Sequence, residues 1–87
     1  MIKYIRGYKE YRRLRADVID NLELARDYEE QRVPDRARIL YIMSKRLVGD
    51  WVLKNPTNIR RANTLLKLIE RTKKQCQRDK DSTRILM

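Results

Sequence analysis

The chain has no histidine and no phenylalanine, and only one cysteine, two glycines and two prolines among its 87 residues. Without histidine it lacks an imidazole base for acid–base catalysis, a catalytic triad and the usual cysteine–histidine ligand set of a zinc site. No glycine-rich loop that could cradle a phosphate is present. The sequence therefore predicts a protein that is not an enzyme and that uses no metal or cofactor.

Long apolar runs are also missing. The longest covers residues 39–43, which is far too short to span a bilayer, and residues 1–6 lack the apolar centre of a signal peptide. The lone Cys76 excludes an internal disulfide and is typical of a reducing compartment. We therefore expect a cytoplasmic protein with no membrane partner.

Charge is what the chain has in abundance. Charged residues make up 39% of the sequence, and the formal net charge is +10. So large an excess on so short a chain predicts a polyanionic partner, either nucleic acid or an acidic protein surface. The apolar content of 41% is too high for a disordered chain, so a packed fold is expected.

Pro34 and Pro56 divide the chain into three segments with helical periodicity, and each proline suits the first turn of a helix. The predicted helices span residues 8–31, 35–53 and 57–78. Gly7 either separates a short N-terminal turn from the first helix or only weakens a longer one. The expected fold is all-α, a small antiparallel three-helix bundle. Residues 1–78 form its single domain, and residues 79–87 form a flexible C-terminal tail.

The first and third helices each carry an apolar face at steps of three and four residues. The predicted buried faces consist of Tyr4, Tyr8, Tyr11, Leu14, Val18, Leu22, Ala25 and Tyr28 in the first helix, and of Ile59, Ala62, Leu65, Leu66, Ile69 and Cys76 in the third. The tyrosines alternate with Lys9, Arg12 and Arg13. This pattern fits either the wet edge of a core or a surface on which bases stack.

The second helix is apolar around most of its circumference. One row holds Leu40, Met43, Leu47 and Trp51, another holds Tyr41, Val48 and Val52, and a third side adds Ile39, Ile42 and Leu53. Two neighbouring helices cannot cover so much apolar surface. We therefore predict self-association or an obligate protein partner, with Ile39, Ile42, Trp51 and Leu53 as interface residues and Trp51 as either a core or an interface anchor.

Residues 58–78 carry seven lysines or arginines and one acid, Glu70. At 100° per residue, five of the bases fall within an arc of about 60° that lies nearly opposite the apolar face. We call these five the basic row: Arg60, Lys67, Arg71, Lys74 and Arg78. The row is about 27 Å long, which is long enough to meet several phosphates of a nucleic acid.

Charge is also segregated along the chain. Residues 1–15 have a net charge of +5 and residues 16–35 a net charge of −5, an order that opposes the dipole of the first helix. In an up–down–up bundle, the basic start of the first helix meets the end of the second and the start of the third. A second anion site is therefore predicted there, formed by Arg12, Arg13, Lys45, Arg46, Arg60 and Arg61.

Two functions fit these patterns. The leading expectation is a non-enzymatic protein that binds DNA or RNA, mainly through phosphate contacts with little sequence readout. The alternative is a protein-binding inhibitor or adaptor, which docks its basic residues on an acidic or nucleic-acid-binding surface of a partner and anchors itself with apolar residues of the second helix.

Overall fold

The structure is a computed structural model that describes the backbone of residues 2–86 and the side chains of residues 8–77. Its elements are α1 (Ile2–Glu30), α2 (Pro34–Lys54) and α3 (Ile59–Leu86), with one 3₁₀ turn at Pro56–Asn58 before α3. The described backbone contains no strand, and the three helices pack together in a bundle-like fold. The predicted all-α class is thereby confirmed.

The helices are longer than expected at the outer ends of the chain. α1 begins at Ile2 and passes through Gly7 without a break, because one glycine costs a helix only about 1 kcal/mol. α3 continues to Leu86, beyond the predicted end at residue 78. The side chains of residues 78–87 lie outside the described residues. The division into a domain of residues 1–78 and a flexible tail of residues 79–87 stays a prediction.

α2 matches its predicted bounds to within one residue at each end. Pro34 occupies its first turn, where a missing N–H group costs nothing, and Asp35 places a negative charge at the positive end of the helix dipole. At the other end, the backbone and side-chain amides of Asn55 both donate hydrogen bonds to the carbonyl of Trp51. The backbone bond is the last one of the helix, the side-chain bond adds a second donor to the same carbonyl, and Pro56 then prevents the helix from continuing.

One core joins the three helices. Its buried hydrophobic residues are Leu14, Val18, Leu22 and Ala25 of α1, Ala37, Leu40, Tyr41, Val48 and Trp51 of α2, and Ala62, Leu65 and Ile69 of α3. All the buried members from α1 and α3 belong to the faces predicted for these helices, and Tyr11, Tyr28 and Leu66 pack at the margin. Ile59 and Tyr8 were predicted to be buried, but they are 54% and 50% exposed.

The buried face of α2 combines parts of two predicted rows, because only Leu40 and Trp51 of the first row are buried. Met43 and Leu47 are 49% and 37% exposed, whereas Tyr41 and Val48 are buried. Two small residues, Ala37 and Ser44, are fully buried on the same face and allow the neighbouring helices to approach closely. The hydroxyl of Ser44 donates a 2.9 Å hydrogen bond to the Leu40 carbonyl, so its burial leaves no polar group without a partner.

Polar contacts also cross from α2 to its neighbours. The Tyr41 hydroxyl donates a hydrogen bond to the Cys76 sulfur at 3.7 Å, and burial together with this bond raises the pKa of Tyr41. On the α1 side, the guanidinium of Arg36 lies 5.7 Å from the centre of the Tyr28 ring. Among the described residues, no helix has a stretch apolar and long enough to cross a membrane.

The turn between α1 and α2 is a Schellman motif. The N–H of Val33 donates to the Tyr28 carbonyl at 2.9 Å, and the N–H of Arg32 donates to the Glu29 carbonyl at 3.2 Å. Arg32 occupies the position that usually holds glycine, and its φ of 62° is in the left-handed region. A side chain with a Cβ is strained there, so this turn holds a removable energetic cost.

Replacing Arg32 by glycine should therefore stabilise the protein by about 0.5–1 kcal/mol, because glycine adopts a positive φ without a steric penalty. Urea unfolding of Arg32→Gly and Arg32→Ala measures the effect. Alanine keeps the Cβ and should bring no gain, so equal stability of the two variants would contradict this account of the turn.

Candidate nucleic-acid interface

The basic row lies on the outer face of α3. Arg60, Lys67, Arg71 and Lys74 are all exposed, and the buried residues of α3 lie on the opposite side of the helix. The side chain of Arg78, the fifth member of the row, lies outside the described residues. The four described cations extend over about 21 Å at 1.5 Å per residue. Lys67, Arg71 and Lys74 lie on successive helical turns, whereas Arg60 is separated from Lys67 by about two turns.

The one acid between residues 58 and 78 is directed away from this row. Glu70 forms an ion pair with Lys45 of α2 at 2.6 Å, on the flank of α3 that faces α2. The hydrogen bond from Lys45, followed by its charge, holds the pKa of Glu70 below its usual value. Thr64 lies among the cations of the row, but its hydroxyl is neutral and donates to the Arg60 carbonyl at 3.0 Å. Glu70 therefore pairs mainly with Lys45, and the charge of Lys74, a member of the row, contributes less to lowering its pKa.

The second predicted anion site is divided by the structure. Lys45 was expected to lie at a basic end with almost no acid near it, but it pairs with Glu70 halfway along α3. Arg13 and Arg46 are exposed on other faces of α1 and α2. The prediction considered only the height of these residues along the bundle. Residues at similar heights point in different directions when their angular positions around their helices differ.

Two arginines of that set do come together, around a tyrosine. The guanidinium carbons of Arg12 and Arg61 each lie 5.9 Å from the centre of the Tyr8 ring, and that of Arg61 lies 5.3 Å from the centre of the Tyr11 ring. Tyr11 and Tyr28 form the edge of the core, as one reading of the tyrosines predicts. Tyr8 is instead half exposed, so its ring remains accessible from solvent.

A further arginine, Arg26, was not among the predicted site residues. It lines a concave groove of about 230 Å³ together with Arg71, Thr72 and Gln75 of α3. The Thr72 hydroxyl donates to the Leu68 carbonyl at 2.9 Å. Arg26 belongs to the segment 16–35, whose acidic balance conceals it. Its spacing from Tyr8 and Arg12, which places all three on one side of α1, is the signal that could have revealed it.

The predicted interface residues of α2 fall into two groups. Ile39, Ile42 and Leu53 are 57%, 54% and 82% exposed, and we call these three the outer α2 face. Trp51 is only 8% exposed and packs on Tyr11, with ring centres 5.8 Å apart. Trp51 is therefore a core residue of this chain and is not part of the exposed surface with which it was grouped.

The described side chains include no candidate metal site and one buried polar group without a hydrogen-bond partner. No three acidic, cysteine or histidine side chains there lie close enough together to hold a metal ion. The indole nitrogen of Trp51 is buried without a hydrogen-bond partner among the described residues. An unpaired buried N–H group destabilises the folded state.

No protein-family model matches the chain, and no curated protein or solved structure is significantly similar to it.

The burial of Trp51 gives a prediction with an internal control. Trp51→Ala should cost about 3–5 kcal/mol, because it leaves a large cavity beside Tyr11. Trp51→Phe keeps most of the ring and removes the unpaired N–H group, so it should cost clearly less. Urea unfolding of both variants provides the comparison, and an equally large loss in Trp51→Phe would contradict this account of the indole.

Proposed function

We propose that this chain is a non-enzymatic protein that binds nucleic acid, DNA or RNA, mainly through phosphate contacts. The observation that carries the proposal is the exposed line of Arg60, Lys67, Arg71 and Lys74 on the face of α3 opposite its buried side. Such a line presents cations to successive phosphates without requiring any contact with base edges. The lone Cys76 supports a reducing, cytoplasmic setting for this binding.

The energetics of α3 support the same proposal. Lys67 and Arg71 are like charges four residues apart, an arrangement that destabilises an isolated helix by a few tenths of a kcal/mol. A solvated helix face usually mixes charges of both signs, and the ion pair of Glu70 is directed towards α2. A polyanion lying along the row would relieve this repulsion and gain from the release of its own counterions.

We also infer that the three helices form a small antiparallel bundle. Support comes from contacts at both ends of α1 and α2. Arg36, early in α2, lies over Tyr28, late in α1, while Trp51, late in α2, packs on Tyr11. Between α2 and α3, the pairs Lys45–Glu70 and Tyr41–Cys76 run in opposite directions along the two helices. This arrangement leaves the outer faces of α2 and α3 on different sides of the molecule.

We further infer that the outer α2 face pairs with a second copy of this chain. α2 contributes five of the eight large hydrophobic residues that are exposed in the described part of the chain, Ile39, Ile42, Met43, Leu47 and Leu53. Gly49 lies beside them with open space around it, which would let another helix approach closely. Arg46 and Asp50 give the same face one charge of each sign, and in a two-fold contact each could pair with the other on the second copy.

The exposed apolar face of α2 also favours the alternative function. An inhibitor or adaptor could anchor Ile39, Ile42 and Leu53 in a partner protein and present its cations to an acidic surface. Nucleic-acid binding explains the basic row more directly, since the row and the outer α2 face lie on different helices. The two functions make opposite predictions for binding to bare nucleic acid.

Substituting the basic row should change the salt dependence of binding. The double variant Lys67→Gln, Lys74→Gln removes two phosphate contacts. It should therefore flatten the plot of log affinity against log salt by about 1.8 on duplex DNA, or about 1.4 on a single strand. Fluorescence anisotropy with labelled oligonucleotides measures the slope. Both lysines are exposed, so thermal stability should change little.

The matched control is Lys9→Gln, Lys54→Gln, which makes the same change in net charge at exposed positions on α1 and α2. Equal flattening in the control would mean that binding follows overall charge and not the basic row. The adaptor function would be supported if the protein bound no bare nucleic acid at physiological salt. In that case a cellular protein should be retained in a pull-down by the unsubstituted chain and lost with Lys67→Gln, Lys74→Gln.

Self-association can be tested with two substitutions of the same kind. Ile42 and Ile59 are equally exposed, at 54%, but only Ile42 belongs to the outer α2 face. Sedimentation velocity at micromolar concentration should show a dimer for the unsubstituted protein and for Ile59→Lys, and a monomer for Ile42→Lys. A monomeric unsubstituted protein, or a dimer that survives Ile42→Lys, would contradict pairing through this face.

A further inference from the structure

α1 and α3 border the same side of the molecule at two separate levels. At one level, Arg61 of α3 lies over the rings of Tyr8 and Tyr11. At the other, Arg26 of α1 and Arg71 of α3 line one groove. The two levels are about 22 Å apart along α1, between Tyr11 and Arg26, at 1.5 Å per residue. A continuous boundary between α1 and α3 therefore runs beside the basic row.

Further arginines of α1 lie along this boundary. At 100° per residue, Tyr8, Arg12, Arg15 and Arg26 fall within an arc of about 60°. Tyr8 near the start of α1 and Arg26 near its end both lie beside α3. Arg12 and Arg15 share their angular range, so they face the same side of the molecule. The guanidinium of Arg12 next to the Tyr8 ring agrees with this placement. We define the α1/α3 groove by Tyr8, Arg12, Arg15 and Arg26 of α1 and by Arg61 and Arg71 of α3.

The charge of the α1/α3 groove is predominantly positive. Arg12, Arg15, Arg26 and Arg71 are exposed, and Arg71 also belongs to the basic row, so the two surfaces are continuous. Glu23 borders the arc, and Glu30 lies within it one turn beyond Arg26. Glu23 and Glu30 therefore reduce the positive charge of the groove at two positions. Removing the negative charge of such an acid should strengthen the binding of a polyanion.

The shape of the groove favours one strand over two. Packed helices have axes about 8–10 Å apart, so the furrow between them is narrow and suits one strand better than a duplex. Tyr8 adds a second indication, because it is 50% exposed beside two guanidinium groups. Aromatic rings and arginine planes stack on unpaired bases, whose faces are hidden within a duplex.

We propose that the α1/α3 groove binds a single strand of nucleic acid, with Arg12, Arg15, Arg26 and Arg71 on its phosphates and one base stacked on Tyr8. The proposal rests on the proposed nucleic-acid binding and specifies its ligand as single-stranded. RNA and single-stranded DNA offer the same phosphates and base faces. Arg61, half buried against Tyr8 and Tyr11, holds the stacking surface in place.

The experiment measures anisotropy of three labelled probes of about eight nucleotides or base pairs, which lies within the site sizes of single-strand binders. The probes are a uridine oligomer, a deoxythymidine oligomer and a DNA duplex of mixed sequence. We expect both single strands to bind more tightly than the duplex. Tighter binding of the uridine oligomer would identify RNA as the source, and equal binding would mean that the sugar is not read.

Two substitutions separate the roles within the groove. Arg15→Gln with Arg26→Gln should flatten the salt slope on single strands by about 1.4, because two phosphate contacts are lost. Tyr8→Leu should weaken binding about tenfold and leave the slope unchanged, because stacking releases no counterions. Glu23→Gln should tighten binding, a gain that cannot be produced by a folding defect. Thermal unfolding of each variant serves as the control for stability.

The outcomes distinguish this proposal from the one on which it rests. Binding that is weakened by Lys67→Gln, Lys74→Gln but is unaffected by the groove substitutions would overturn the groove and leave the proposed function standing. Tighter binding to the duplex than to both single strands would also overturn it. Failure of the unsubstituted protein to bind any of the three probes at low salt would remove the proposed function itself.

Discussion

Burial of one face of α2 against α1 and α3 is the interaction on which the other features of this molecule depend. A chain of 87 residues can bury only a small core, and α2 supplies five of its hydrophobic members together with the fully buried Ser44. Once this face is buried, the other surfaces are fixed as well. α2 presents Ile42 and Leu53 outwards, and α3 presents its cations.

The same packing explains how a strongly basic chain folds. A net charge of +10 repels itself, and the repulsion is smallest when the cations lie on the outside of a thin helical fold. The ion pair between Lys45 and Glu70 bridges α2 and α3, and it draws the one acid between residues 58 and 78 towards α2. In the proposed function, a polyanion supplies the compensating charge from outside the chain. Binding of the polyanion then lowers the electrostatic repulsion among the cations of the chain.

Much of the helical structure could be predicted from periodicity and proline positions, and this holds best for the bounds of α2 and the buried faces of α1 and α3. The buried face of α2 could not. Its circumference offers several apolar rows, and the buried face takes Leu40 and Trp51 from one and Tyr41 and Val48 from another. The small residues Ala37 and Ser44, which a hydrophobic pattern ranks low, lie on this same buried face. The Lys45–Glu70 pair depends on the axial positions of two helices, which sequence spacing does not fix. Arg26 was hidden by its acidic neighbours, although its helical angle places it beside Arg12.

The central claim is that the outer side of α3, continued onto the adjoining side of α1, is the surface that meets a polyanion. Titration of the ¹⁵N-labelled protein with an unlabelled uridine oligomer at low salt, followed by amide chemical shifts, tests this claim residue by residue. The account predicts that the largest shifts fall at Arg60, Lys67, Arg71 and Lys74 and on the Arg12–Arg26 side of α1, with the outer α2 face unchanged. Shifts concentrated on α2 around Ile42 and Leu53, or no saturable shifts anywhere, would contradict it.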